Sequence, residues 1–164
     1  MIENCEIVQT TNTKFLGVII DEKLTWSQHI TQVSLKLSKN IGVLNRLKYS
    51  VSKSILLMLY NTLVLPYLSY CNIIWASTYK THIQKVVILQ KRALRVITLS
   101  KYNAHTKPLF LKLNLLNVID FCNFQMEYSC FGIFISYCHP YLITILVLIM
   151  KHMTNTRVAH LTIT

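Results

Sequence analysis

The chain has 164 residues, length for about one domain, and its 52% hydrophobic share against 14% charged residues excludes a disordered polyelectrolyte. Three glycines leave too little material for phosphate loops, nucleophile elbows or many tight hairpins, so a mostly helical fold is expected. Seventeen Lys and Arg oppose six Asp and Glu, and the stretch from Lys23 to Lys112 holds 14 of the cations and no acid. Such a field attracts polyanions, and charge alone does not choose between nucleic acid and an anionic membrane face.

In chain order, TKFLGVII at 13–20 is a short β-branched apolar run closed by Asp21, Glu22 and Lys23, and it reads as one buried strand. Its pairing partner is then either the segment near Ile7 and Val8 or something outside this chain. Thr25 and Gln28 have capping-box spacing. Trp26, Ile30, Val33, Leu37, Ile41 and Leu44 then recur every three or four residues, which predicts a helix from about 26 to 47. Lys36, Lys39 and Arg46 fall on its opposite face.

A second helix is expected after Ser52 and ends or kinks at Pro66. PYLSYCNIIW carries no charge and reads as the most buried stretch. A third helix spans about 80 to 98, burying Ile83, Val86, Val87, Gln90, Ala93, Leu94 and Ile97 and exposing Lys85, Arg92 and Arg95. Beyond Pro108 one or two further amphipathic helices follow, with Asn114 and Asn117 as break points. Residues 128–150 lack Asp, Glu, Lys and Arg, length enough for a bilayer span, although His139 and Pro140 interrupt it. The predicted organisation is a β element over 1–23, a basic helical domain over 24–127 and an apolar segment with its tail over 128–164.

Few residues support catalysis. Metal-dependent nucleotidyl transfer needs grouped carboxylates, and Asp21 and Glu22, being adjacent, point to opposite faces of a strand and read as a solvated turn. None of the six histidines has the His-x-Asp or His-x-Glu neighbour of a non-haem iron site. Cys122, Cys130, Cys138 and His139 lack the short knuckle of structural zinc. With Cys5 and Cys71 the cysteines make an odd, scattered set and no signal-peptide pattern precedes them, which predicts reduced thiols in a nuclear or cytoplasmic protein. No cofactor and no autonomous enzyme activity are expected.

The basic faces carry more weight. Lys36, Lys39, Arg46, Lys48, Lys91, Arg92, Arg95 and Lys101, accompanied by Tyr49, Tyr79 and Tyr102 at segment ends, are the candidate nucleic-acid-binding residues, a mixture suited to phosphate contacts with aromatic stacking. The bland alternative is a solvated helix face that happens to use lysine.

Four ordered blocks, KFLGVIIDEKLTWSQHI, ILLMLYNTLVLPYLSYCNIIWAS, LQKRALRVIT and AHTKPLFLKLNLL, resemble the region that follows the palm in jockey-type reverse transcriptases of non-LTR retrotransposons. The resemblance covers roughly residues 13 to 120, and HMTNTRVAH resembles a later His-x-Tyr-Asn-Thr-Arg stretch, with Thr154 in place of the tyrosine. It implies a mainly α fold, a thumb-like bundle of three to five helices with one short N-terminal β-strand or hairpin. It implies RNA or an RNA–DNA hybrid as partner, together with a polymerase palm that this chain does not contain. It also puts the catalytic Tyr-x-Asp-Asp turn upstream of this chain, so polymerase activity does not carry over.

A second resemblance, of the Leu-Tyr, Trp and Gln-Lys-Arg helical pattern, is to the N-terminal module of an AlkB-homologue alkylation-repair protein. The rival readings are a small basic membrane protein anchored by residues 128–150 and a decayed reading frame without activity.

Overall fold

The computed structural model describes the backbone of residues 10–137 and the side chains of residues 10–129. The Ile7-Val8 segment, Cys5, Cys138, His139, the 138–150 part of the apolar stretch and the HMTNTRVAH tail lie outside the described residues. Two compact units divide at Asn123 and Phe124.

The TKFLGVII run is a hairpin, not a single strand. β1 (Asn12–Phe15) pairs antiparallel with β2 (Val18–Asp21), Phe15 opposite Val18 and Asn12 opposite Asp21. The reversal falls on Leu16 and Gly17, whose φ values of 46° and 83° are the two positive angles of a tight primed turn. Only Gly17 takes such an angle without steric cost. The expected buried strand is therefore half right. β1 is exposed throughout, whereas Val18 is buried and Ile19 and Ile20 half-buried.

Asp21, read as a solvated turn, has a structural role instead. Its carboxylate accepts hydrogen bonds from the Thr25 N–H (2.9 Å), the Thr25 hydroxyl (2.8 Å) and the Trp26 N–H (2.8 Å), which turns the chain from β2 into the first helix. Burial pushes the Asp21 carboxyl pKa up, but these hydrogen bonds to its charged form outweigh that and hold it below the usual carboxylate value. The expected Thr25–Gln28 capping box does not form, because Thr25 spends its hydroxyl on Asp21 and the N-cap position falls on Trp26.

Helix α1 (Ser27–Leu47) buries Ile30, Val33, Leu37, Ile41 and Leu44 of the predicted stripe, together with His29, while Trp26 is half-buried at the N-cap. Helix α2 (Lys53–Leu63) starts at Ser52, whose hydroxyl accepts from the Ile55 N–H at 3.4 Å. Pro66 starts a new helix, α3 (Leu65–Ser69), as proline does comfortably in a first turn. A left-handed Cys71 then leads to α4 (Asn72–Trp75).

PYLSYCNIIW is consequently not the most buried stretch. Only Leu68, Asn72 and Trp75 are buried there, while Tyr70 and Ile74 are about half exposed, at 53% and 49%. Helices this short turn one side chain at a time toward the core.

Helix α5 (Lys80–Ile97) buries the seven residues expected of it, Gln90 included. Helix α6 (Lys107–Leu113) carries Pro108 in its first turn and ends at Asn114 in the left-handed conformation. Asn117 accepts from the Ile119 N–H at 3.3 Å ahead of α7 (Val118–Tyr137), so both asparagines mark breaks as expected.

Contacts fix the directions. Asn40 Nδ2 donates to the Leu63 carbonyl, Lys36 lies over the Tyr67 ring at 5.4 Å, and the His29 and Trp75 rings are 5.9 Å apart. Falling numbers on α1 meet rising numbers on α2, α3 and α4, so that limb runs antiparallel to α1. The Thr78 hydroxyl donates to the Thr25 carbonyl at 2.7 Å, which puts the start of α5 at the start of α1. The chain thus makes three limbs, up, down and up, with α1 and α5 parallel. Their shared core holds Leu37, Leu44, Leu56, Tyr60, Trp75 and Leu94, each 0–1% exposed. The number of helices, seven among the described residues, exceeds the expected three to five because the descending limb is cut into three pieces.

A buried polar knot ties the descending limb to α5 and to the start of α7. Gln90 Nε2 donates to the Tyr60 hydroxyl (3.0 Å) and to the Leu116 carbonyl (2.9 Å), and its Oε1 accepts from the Val118 N–H (2.9 Å). In the second unit, Phe124 and Tyr128 stack one turn apart on α7, ring centres 6.3 Å apart. Among the described residues no helix is long and apolar enough to cross a membrane.

Candidate nucleic-acid interface

Parallel packing brings the C-terminal ends of α1 and α5 together, and a cleft of about 350 Å³ opens between them. Asn45, Lys48 and Tyr49 line it from α1 and the turn after it, and Arg92, Arg95 and Tyr102 from α5 and the loop that follows. Three of the eight expected binding residues, Lys48, Arg92 and Arg95, therefore share one site although more than 40 residues separate them in sequence.

The electrostatic balance of the cleft is positive. Two helix C-termini contribute about half a negative charge each, roughly one in total, against three full cations. Helix-end compensation therefore accounts for only part of the basic residues gathered there. The nearest acids in sequence are Glu22 on one side and Asp120 on the other, so no carboxylate from the intervening segment offsets them.

The aromatic partners are in place as well. Lys48 Nζ lies 4.8 Å from the centre of the Tyr49 ring, and the Arg95 guanidinium lies 5.9 Å from that of Tyr102. Both rings face solvent, at 82% and 85% exposure. Arg95 is oriented by its Nε, which donates to the Ala104 carbonyl at 3.1 Å. Tyr79 stands elsewhere, edge-on to His82 with ring centres 6.1 Å apart.

The remaining expected residues do not join this cleft. Lys36 lines a second, more apolar groove of about 420 Å³ with His29, Pro66, Tyr67, Tyr70 and the hairpin turn. Lys39, Arg46 and Lys101 are exposed and Lys91 is half-buried, and none of the four lines either cavity. Sequence reasoning missed the second groove altogether. Its walls meet because Tyr70 reaches back across the fold, its hydroxyl donating to the Leu16 carbonyl at 2.6 Å, and no local pattern announces that contact.

Nor do the described residues assemble a metal centre. Among them no group of three or more His, Cys, Asp or Glu is placed to hold an ion. Cys71 and Cys122 are free thiols. The Cys122 thiol donates to the Asn72 carbonyl at 3.7 Å, and burial pushes its pKa up, away from the thiolate that metal binding or nucleophilic attack requires. His29 is buried with its Nδ1 accepting from the Ile19 N–H at 3.3 Å, a hydrogen bond that requires the neutral ring.

Comparison with known proteins gives this geometry a context. The chain is 28% identical over 127 residues, 74% of its length, to a probable RNA-directed DNA polymerase from transposon X-element of Drosophila melanogaster. It is 30% identical over 103 residues (61% of the chain) to the RNA-directed DNA polymerase from mobile element jockey of Drosophila funebris, and 27% identical over 99 residues (58%) to that of Drosophila melanogaster. The chain spans between 11% and 14% of the length of these relatives. No protein-family model and no solved structure matches it. The AlkB-homologue resemblance finds no counterpart among these three relatives. Over 58–74% of its length the chain is similar to RNA-directed DNA polymerases of the jockey and X-element mobile elements, which supports a region like the reverse transcriptases of non-LTR retrotransposons.

Proposed function

We propose that this chain is a thumb-like, catalytically incomplete segment of a retrotransposon RNA-directed DNA polymerase, and that it grips RNA or an RNA–DNA hybrid through its basic faces. The observation that carries the reading is the meeting of Lys48, Arg92 and Arg95 in one cleft, within a stretch that holds 14 cations and no acid. The relatives are RNA-directed DNA polymerases by name, and a polymerase must hold its template and primer while it copies.

Recognition on this reading is by phosphate and shape, because cations at helix ends contact the backbone and carry no base code. The exposed Phe15 and Leu16 of the hairpin offer an apolar edge on which a polymerase palm would seat. On this reading catalysis belongs to the palm. A two-metal centre needs converging carboxylates, whereas Asp21 spends both oxygens on hydrogen bonds at the start of α1.

The test is RNA binding across a salt series with the full chain. Three phosphate contacts in the cleft predict a log–log slope of about −2 for single-stranded RNA, since each contact contributes about −0.7. Replacing Lys48, Arg92 and Arg95 together by Gln should flatten that slope to near zero if the cleft is the main contact. Salt-insensitive binding, or none at low salt, would refute the reading.

A further inference from the structure

We infer that the cleft between the ends of α1 and α5 is a subsite for one unpaired nucleotide of a single strand, its phosphate held by Lys48, Arg92 and Arg95 and its base stacked on Tyr49 or Tyr102. The inference rests on the nucleic-acid reading above and adds which form of strand enters.

Phosphate binding alone needs cations; it does not need two tyrosines more than four-fifths exposed. Each of these rings has a cation against one face, Lys48 on Tyr49 and Arg95 on Tyr102, and that exposure leaves the other face open to solvent. A base stacked on the open face completes a cation, ring and base sandwich. Base–aromatic stacking adds to cation contacts and tolerates any base, because every base has a π-face.

The backbone that carries each ring is held before a ligand arrives. The turn carrying Tyr49 is closed by the Ser50 and Val51 N–H groups, which donate to the Leu47 carbonyl at 2.9 and 3.2 Å. The loop carrying Tyr102 is fixed at both ends. The Ser100 N–H donates to the Arg95 carbonyl at 3.0 Å, the Ala104 N–H donates to the Lys101 carbonyl at 3.0 Å, and Arg95 itself donates to the Ala104 carbonyl. A backbone already folded loses no loop entropy on binding, so more of the stacking energy appears as affinity.

Size points the same way. A cleft of about 350 Å³ lies at the low end of small-ligand sites, room for a single nucleotide and not for a base pair. A duplex turns its base faces inward, where neither tyrosine can reach them, so the stacking component is available only to an unpaired strand.

The experiment compares three probes on the full chain at one low salt concentration: a short oligoadenylate, an abasic ribose–phosphate oligomer of the same length, and the oligoadenylate annealed to oligouridylate. The oligoadenylate should bind about tenfold more tightly than the abasic strand for one stacked base. The duplex should show no such advantage. The double substitution Tyr49→Leu with Tyr102→Leu should bring oligoadenylate down to the abasic level. Tyr49→Phe with Tyr102→Phe should keep the advantage, since it keeps the rings. Both tyrosines are exposed, so an unchanged circular-dichroism spectrum is expected of either double variant. Equal affinity for abasic and base-bearing strands, or full retention of the advantage in the leucine variant, overturns the subsite while leaving phosphate binding intact. Failure of all three probes to bind overturns the parent reading and the subsite with it.

Discussion

Gln90 is the residue whose replacement should cost the fold most for the least change in volume. Its side chain is 1% exposed and serves the Tyr60 hydroxyl, the Leu116 carbonyl and the Val118 N–H at 2.9–3.0 Å. Gln90→Leu keeps much of the bulk and removes all three hydrogen bonds. Leu116 is 49% exposed, so its carbonyl can turn to water, whereas Tyr60 and Val118 are 0% and 1% exposed and their polar groups cannot. Two orphaned buried groups at about 1–3 kcal/mol each, less the gain from an added apolar side chain, predict a loss of about 2–4 kcal/mol. Tyr60→Phe should cost only about 1 kcal/mol, because Gln90 Nε2 keeps its bond to Leu116.

The assay is urea unfolding followed by the fluorescence of Trp75 and Trp26, with the midpoint moving and the slope unchanged. In the Gln90→Leu background, Tyr60→Phe removes one of the two orphaned groups and should restore about 1–3 kcal/mol, which a double-mutant cycle reads directly. A Gln90→Leu protein within about 1 kcal/mol of the parent, or additive effects of the two changes, would rule out the buried Gln90–Tyr60 coupling. The same hydroxyl gives an alkaline signature. Burial raises the Tyr60 pKa, only partly opposed by its hydrogen bond to Gln90, so above about pH 10 the unfolded chain ionises this group first. Stability should therefore fall more steeply with rising pH in the parent than in Tyr60→Phe.

Three further outcomes follow from single sites. Gly42 lies inside α1, five residues before its end, with nothing within 4 Å of an added Cβ, so Gly42→Ala should stabilise by about 0.5–1 kcal/mol in the same urea assay. Leu16 sits at φ 46° in the hairpin turn, and Leu16→Asn, a residue that tolerates the left-handed region, should raise stability by about 1 kcal/mol; an unchanged midpoint would contradict the turn geometry. Burial, with a smaller contribution from Lys36, lowers the His29 pKa, so below about pH 6.5 the unfolded chain takes up a proton that the folded chain refuses. Stability should fall as pH drops from about 6.5 toward the lowered folded value, and His29→Gln should remove that part of the slope.

Legibility in the sequence followed the length of each element. α5 was readable residue by residue because 18 uninterrupted residues repeat the helical period five times over, and the stripe of α1 was readable for the same reason. The hairpin stood only as an alternative to a single strand, since TKFLGVII reads as one β-branched run and its turn places a leucine where turn chemistry favours asparagine or glycine. PYLSYCNIIW misled because apolar composition says nothing of how few side chains a one-turn helix can bury. The basic residues were legible one by one, but their grouping was not. That Lys48 meets Arg92 and Arg95, and that Lys36 goes to another groove, depends on α1 and α5 running parallel, which the Thr78 to Thr25 hydrogen bond and the length of the descending limb decide.

On the proposed function, nucleic acid is gripped where α1 and α5 end. Photo-crosslinking of the full chain to single-stranded RNA carrying 4-thiouridine, with the attachment sites mapped by mass spectrometry, tests it most directly. Crosslinks are expected on the Lys48–Tyr49 and Arg92–Tyr102 peptides, and they should disappear as salt is raised. Crosslinks confined to other helices, or attachment at these peptides that is indifferent to salt, would contradict it.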